Sequence, residues 1–216
     1  MSKEENVVKY YVMCNKLKDL IRTGWKVWSV ERNRVESVAE HILGVQMLAL
    51  AMQSEYHYDI EIQRVIMMIA VHELEEISIG DFTPFEISED EKRKLGEKAV
   101  KEILGTLTDS EQLAVLITEF EQRTTKEARF AYFCDKLECD IQSKLYDEEG
   151  CVDLNHQVSN PIMKDERVKA LLDSGLSWSE MWLKFDQQNI GYDENFLEVS
   201  NYVLTHKINQ QKNSHL

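Results

Sequence analysis

Apolar residues recur at helical spacing along most of the chain. In a first predicted helix, from about Glu4 to Ile21, Val7 and Leu17 fall near one face. The segments VAEHILGVQMLALAM, after Ser37, and VIMMIAVHELEEI, in a helix from about Ile60, are apolar on most sides, which is typical of helices at the centre of a protein. The pattern therefore predicts an all-α protein.

The remaining predicted helices begin at recognisable caps or follow the same spacing. They cover Ser88–Leu104, Asp109–Arg123, Thr124–Tyr146, Pro161–Leu172, Ser177–Gln188 and Glu194–Ile208. Residues 25–34 show no clear period and are expected to form an ordered loop. Residues 147–160 are rich in Gly, Asp and Asn, which indicates a loop or a boundary. We expect a compact helical domain over residues 1–146, with residues 147–216 as a C-terminal helical extension packed on the same domain.

Composition narrows the class of protein. Only 8 Gly and 2 Pro interrupt the 216 residues, which favours long helices. A net charge of -14 argues against a nucleic-acid polymer or an anionic membrane as partner. To bind a small anion, a protein of this charge would need local positive charge at the site, from a metal or from a few Lys and Arg residues. No apolar stretch is long enough to cross a membrane and no basic apolar leader opens the chain, so we expect a cytoplasmic protein. The four cysteines form no C-x-x-C pair and are expected to be buried thiols.

Polar residues interrupt three otherwise apolar helices at Glu40-His41, His72-Glu73 and Asp135. A buried carboxylate needs a partner, and one divalent cation would satisfy several such groups at once. Two imidazoles with two carboxylates suit Mn, Co, Fe, Ni or Zn better than Ca or Mg. A single His on an apolar helix is more often a hydrogen-bonded core residue, so spacing alone leaves both interpretations open.

Three segments resemble the HD-domain superfamily, in particular its 5'-deoxynucleotidases. They are RVESVAEHILGVQMLALAM, AVHELEEISIGDFTP and RFAYFCDKLECDIQSKLY, and they occur in the order that the family requires. The resemblance covers about residues 17–146. It implies a compact HD-domain helical bundle that holds one divalent transition metal.

By this resemblance, His41, His72 and Asp135 match metal ligands. Glu73 stands where the family carries the Asp of its HD pair. A Glu keeps the charge and the oxygen donors, but its carboxylate reaches about 1.5 Å further. Ligation by Glu73 is expected, with altered geometry at the metal as a consequence.

The resemblance also implies catalytic roles for Glu76 and Asp81, and a substrate-binding role for Trp25. The related enzymes carry Arg directly before this Trp, whereas here the position is Gly24, and the neighbouring cations that could replace it are Arg22 and Lys26. From the residues alone, the pattern favours a solvated helix end for Glu76 and an ordinary turn for Asp81. Trp25 and Trp28 could equally cap the helical core.

The implied activity is hydrolysis of a phosphomonoester, with a (deoxy)nucleoside 5'-monophosphate as the favoured small-molecule partner. The alternative is a catalytically weakened HD-domain module that binds nucleotides or regulates another protein, as the Glu at position 73 suggests. Pyrophosphohydrolysis of a guanosine alarmone is a third option, for which the chain carries no further motif. The tail helices either cover the domain or contribute to a homodimer.

Overall fold

The computed structural model describes residues 2–82, 88–157 and 159–209, and most of these residues are helical. The only β-type pairing among the described residues is an isolated bridge between Ile21 and Ser37. The all-α prediction is confirmed. The α-helices are α1 Lys3–Cys14, α2 Thr23–Val27, α3 Val38–Tyr56, α4 Ile62–Val71, α5 Glu76–Ile79, α6 Glu89–Leu104, α7 Glu111–Gln122, α8 Lys126–Glu148, α9 Glu166–Asp173, α10 Trp178–Asn189 and α11 Glu194–Thr205.

The chain divides into two compact units. The first contains residues 1–24 and 35–134, and the second contains residues 25–34 and 135–216. The boundary falls inside α8, between Cys134 and Asp135. Our division of the chain at residue 146, and the packing of the tail on one domain, stay predictions.

The first unit is built around α3 and α4, which pack on each other, while α4 also packs on α7 and α5 on α6. Ser37 and Glu40 form a reciprocal capping box at the start of α3, which satisfies two of the backbone N–H groups that a helix leaves open. Val45 of α3 and Val65 and Ile69 of α4 have no exposed surface. Their burial supplies the hydrophobic free energy that holds this pair of helices together.

Two helix ends differ from the sequence prediction. The first helix ends at Cys14 instead of Ile21, because its last turn tightens: the Asn15 N–H is shared by the Met13 and Tyr11 carbonyls, and a 3₁₀ segment, Asn15–Lys18, follows. The fourth helix ends at Val71. His72 is therefore a C-cap and not a mid-helix residue, and a turn separates it from α5.

In the second unit, α10 packs on α9 and α11. The predicted capping box at Ser177 and Glu180 is present. The predicted helix from Pro161 instead starts as a 3₁₀ segment, Pro161–Lys164, because extended backbone at Asp165 separates it from α9. The segment that we expected to be a loop begins inside the short helix α2.

No helix in the described part of the chain is both long and apolar enough to cross a membrane.

Candidate metal centre and active site

His41 lies on the first full turn of α3, within the first unit. Its backbone N–H donates to the Ser37 carbonyl over 3.0 Å, so the capping box that starts α3 also fixes the position of His41. The side chain has no exposed surface. The imidazole is therefore shielded from water.

His72 is positioned by the end of α4. Its Nδ1 lies 2.7 Å from the Ile69 carbonyl oxygen, and because a carbonyl only accepts hydrogen bonds, Nδ1 carries the hydrogen. The lone pair then belongs to Nε2. The Phe120 ring packs edge-on against the imidazole, with 4.9 Å between ring centroids. A hydrogen bond from the second ring nitrogen to a backbone carbonyl is the usual way in which proteins orient a metal-binding His.

Glu73 brings a carboxylate up to both imidazoles. Its Oε1 lies 3.5 Å from Nε2 of His72 and 3.8 Å from Nε2 of His41. With metal–ligand bonds of about 2.1 Å, neighbouring ligand atoms lie roughly 3.0–3.4 Å apart, so this arrangement is close to that of a metal site. A buried carboxylate is costly unless a positive charge or a hydrogen bond satisfies it, and a cation held between these three side chains would do so. The chemistry of this donor set fits a divalent cation.

Asp135, the fourth predicted ligand, is a buried residue of α8. One of its carboxylate oxygens lies 2.9 Å from Nζ of Lys136. Within the first unit, His41, His72 and Glu73 each offer a ligand atom within 4.8 Å of the others. The role of these three residues and of Asp135 as ligands stays a prediction.

Arg22 is paired with Glu73. Nη1 of Arg22 donates to Oε1 of Glu73 over 3.2 Å, and both side chains are largely buried. The same oxygen that approaches the two imidazoles therefore already accepts a charge-assisted hydrogen bond. We predicted that Arg22 binds the substrate, and the structure shows in addition that it lies beside the candidate metal ligands.

Glu76 is buried on α5, with only 2% of its surface exposed, and so is not a solvated helix-end residue. Burial, followed by the charges of Glu73 and Asp81, raises the pKa of Glu76 to about 11, although Lys92 and Arg22 act in the opposite direction. Its Oε2 is buried and has no hydrogen-bond partner among the described residues. A buried carboxylate oxygen in this state is typical of a site that a ligand or water completes.

Asp81 follows a turn that only glycine adopts easily, since Gly80 has φ +85°. The Thr23 N–H donates to Oδ2 of Asp81 over 2.5 Å, and the Thr23 hydroxyl donates to the Asp81 carbonyl over 2.6 Å. These two bonds fix both the side chain and the backbone of Asp81. A side chain held in a fixed position in this way is compatible with the predicted catalytic role of Asp81.

Trp25 and Lys26 belong to the second unit. Trp25 is 6% exposed and packs edge-on against Tyr146 and Trp178, with centroid distances of 5.3 and 6.1 Å. Lys26 is exposed. The packing of Trp25 agrees with a core role, and the predicted substrate-binding roles of Trp25 and Lys26 stay predictions.

Sequence reasoning missed Lys92. It lies in the charged run 89–94, which looks like a solvated helix face, and nothing in the sequence distinguishes it from its neighbours. The structure places its ammonium beside Glu76.

Comparison with known proteins agrees with this geometry. The family model described as HD domain matches residues 14–172. The chain belongs to the HD-domain family. It is 33% identical over 165 residues to the 5'-deoxynucleotidase HDDC2 of Dictyostelium discoideum, which covers 73% of this chain and 83% of the relative. It is 28% identical to the 5'-deoxynucleotidase hdd1 of Schizosaccharomyces pombe, over 68% of this chain and 76% of the relative.

A solved structure supports the fold. A predicted metal-dependent phosphohydrolase from Magnetospirillum magnetotacticum MS-1 superposes with a TM-score of 0.64 at 22% identity, and the match covers 94% of each chain. At this level of identity the likeness concerns the fold alone.

Proposed function

We propose that the chain is a metal-dependent phosphohydrolase that releases phosphate from (deoxy)nucleoside 5'-monophosphates. Membership of the HD-domain family and similarity to proteins named 5'-deoxynucleotidase support a nucleotide phosphohydrolase. The observation that carries the proposal is the buried convergence of His41, His72 and Glu73, with the buried Glu76 three residues further along the chain.

His41, His72, Glu73 and Asp135 would hold the metal, and their mixed nitrogen and oxygen donors favour Mn, Co, Fe, Ni or Zn. A bound divalent metal supplies Lewis acidity, which lowers the pKa of an attacking water and offsets phosphate charge. Proton transfer, orientation of the water and binding of the phosphate would be carried out by side chains of the protein.

Glu76 is the residue best placed to move a proton. Without a metal its raised pKa keeps Glu76 protonated. The positive charge of a bound metal would favour the carboxylate, which would accept a proton from the attacking water and then return it to the leaving 5'-oxygen. Asp81, fixed by Thr23, would orient the water or the leaving group. Arg22 and Lys26 would contribute positive charge toward a phosphate that the net charge of -14 otherwise repels, and Trp25 would border the nucleotide.

A phosphate-release assay tests this function. The purified protein is incubated with deoxynucleoside 5'-monophosphates and each candidate metal, with nucleoside 3'-monophosphates and diphosphates for comparison. Glu76→Gln should lower turnover by roughly two to four orders of magnitude while the melting temperature stays nearly constant, because Gln keeps the size but cannot accept the proton.

The matched control is Glu75→Gln, the same change at the adjacent residue, which should keep most of the activity. Absence of phosphate release from every monophosphate with every metal would refute the function. If Glu76→Gln keeps nearly parental turnover, the proton transfer must instead be assigned to Asp81 or to solvent.

The alternative, a weakened nucleotide-binding or regulatory module, is favoured by the Arg22–Glu73 ion pair, because that pair competes with a metal for the same oxygen. Calorimetric titration with a deoxynucleoside monophosphate separates the two functions. Saturable binding without phosphate release would establish the module, and turnover would exclude it.

A further inference from the structure

Lys92 of α6 contacts two elements of the candidate active site at once. Its Nζ lies 3.5 Å from Oε1 of Glu76 and donates to the Phe82 carbonyl over 3.4 Å. One ammonium thus bonds to the side chain of Glu76 and to the backbone directly after Asp81. The Lys92 side chain is 32% exposed, so its charge is partly withdrawn from water.

Local sequence explains how α6 places this ammonium. Ser88 and Glu91 form a capping box that starts the helix, and the Lys92 N–H donates to the Ser88 carbonyl over 2.9 Å. One turn later, Gly96 lies against Glu75, where an added Cβ would be 3.4 Å from the Glu75 Cγ. Gly96 thus lies in the contact between α6 and the residue directly before α5.

Charge around Lys92 is strongly one-sided. Burial works against its charged form, but Glu73, Glu76, Glu75 and Asp81 outweigh burial and raise the pKa of Lys92 above its ordinary value. Arg22 is the other nearby cation that acts on Glu76, and its Nη1 is bonded to Glu73. Lys92 is the cation for which the structure gives a direct contact with Glu76.

We propose that Lys92 is a positioning residue that holds Oε1 of Glu76 and leaves Oε2 as the oxygen that exchanges the proton with the attacking water. Oε2 is the oxygen that has no hydrogen-bond partner among the described residues. By bonding the Phe82 carbonyl as well, Lys92 keeps Glu76 and the Asp81 turn in one fixed arrangement. The catalytic part of this inference rests on the proposed function, whereas the contact itself does not.

A double-mutant cycle with Lys92→Met and Glu76→Gln tests the contact without any assay of activity. Lys92→Met should lower the melting temperature by about 4 °C when Glu76 is present, because it removes the charged hydrogen-bond donor of the buried Glu76 carboxyl group. In the Glu76→Gln background the same change should cost less than half as much. The matched control is Lys98→Met on the same helix, where the Lys side chain is 77% exposed and the change should be nearly neutral.

Kinetics of the metal-loaded protein test the positioning role. Lys92→Met should lower kcat about tenfold to a hundredfold with KM within about twofold, and Lys92→Arg should recover part of the loss. In the Glu76→Gln background Lys92→Met should add no further loss. A rise in KM at constant kcat would overturn the proposal, since it would make Lys92 a substrate-binding residue.

The two proposals fail in different ways. If the two substitutions change the melting temperature additively, the Lys92–Glu76 contact is refuted, whatever the activity. If the parent releases no phosphate while the melting temperatures show coupling, the proposed function and the catalytic role fail together and the contact stands.

Discussion

Replacing Glu73 with Asp removes one methylene and withdraws the carboxylate by about 1.5 Å. Oε1 now lies 3.5 and 3.8 Å from the two imidazole Nε2 atoms. With the backbone unchanged, both distances grow to roughly 4.5–5 Å, well beyond the 3.0–3.4 Å that neighbouring ligands of one metal require. We therefore expect Glu73→Asp to weaken metal binding, although it restores the Asp that related proteins carry.

We expect the dissociation constant of the metal to rise about tenfold to a hundredfold, which corresponds to roughly 1.4–2.7 kcal/mol of binding free energy. Calorimetric titration of the metal-free protein with Mn or Co measures it. Glu75→Asp, the same shortening at a position outside the ligand set, should bind metal like the parent, and His72→Ala should lose most of the metal. Binding by Glu73→Asp that equals or exceeds that of the parent would refute the reasoning, because the backbone would then adjust to the shorter side chain.

Three further predictions concern stability. Ser37→Ala breaks the capping box of α3 and should cost about 1 kcal/mol in urea unfolding followed by circular dichroism, whereas an unchanged midpoint would deny the cap any role. Asp165, beside Arg167, has its pKa lowered from 3.8 to about 2, so it stabilises the fold above about pH 4 and this contribution disappears as pH falls toward 2. Asp165→Asn should flatten that part of the melting temperature's pH dependence. Phe196→Ala, at a site with no exposed surface, should cost about 3–5 kcal/mol in the same unfolding assay.

Periodicity and caps were sufficient to predict the helices that carry the candidate site. The apolar pattern of α3 and the Ser37 cap are local properties, so they could be read from neighbouring residues. The end of α4 at Val71 could not be predicted, because the chain stays apolar on most sides until His72. Helix ends depend on tertiary contacts that a pattern along the chain does not contain.

The site was predictable to the extent that residue types and family resemblance constrain it. The convergence of His41 and His72 depends on how α3 packs on α4, which no short-range signal specifies. The ion pair between Arg22 and Glu73 joins residues 51 positions apart, so it was not expected. The role of Lys92 was missed for the same reason, since its contact with Glu76 depends on how α6 packs on α5.

All 4 tryptophans of the chain lie in the second unit, where they form one aromatic cluster. The ring centroid of Trp28 lies 5.8 Å from that of Trp178 and 6.0 Å from that of Trp182, and Trp25 also packs on Trp178. Intrinsic tryptophan emission therefore reports on the second unit alone, whereas far-ultraviolet circular dichroism reports on the helices of both. Recording both signals in one denaturant titration shows whether the first unit, which contains His41, His72 and Glu73, unfolds together with the second unit, which contains the tryptophans.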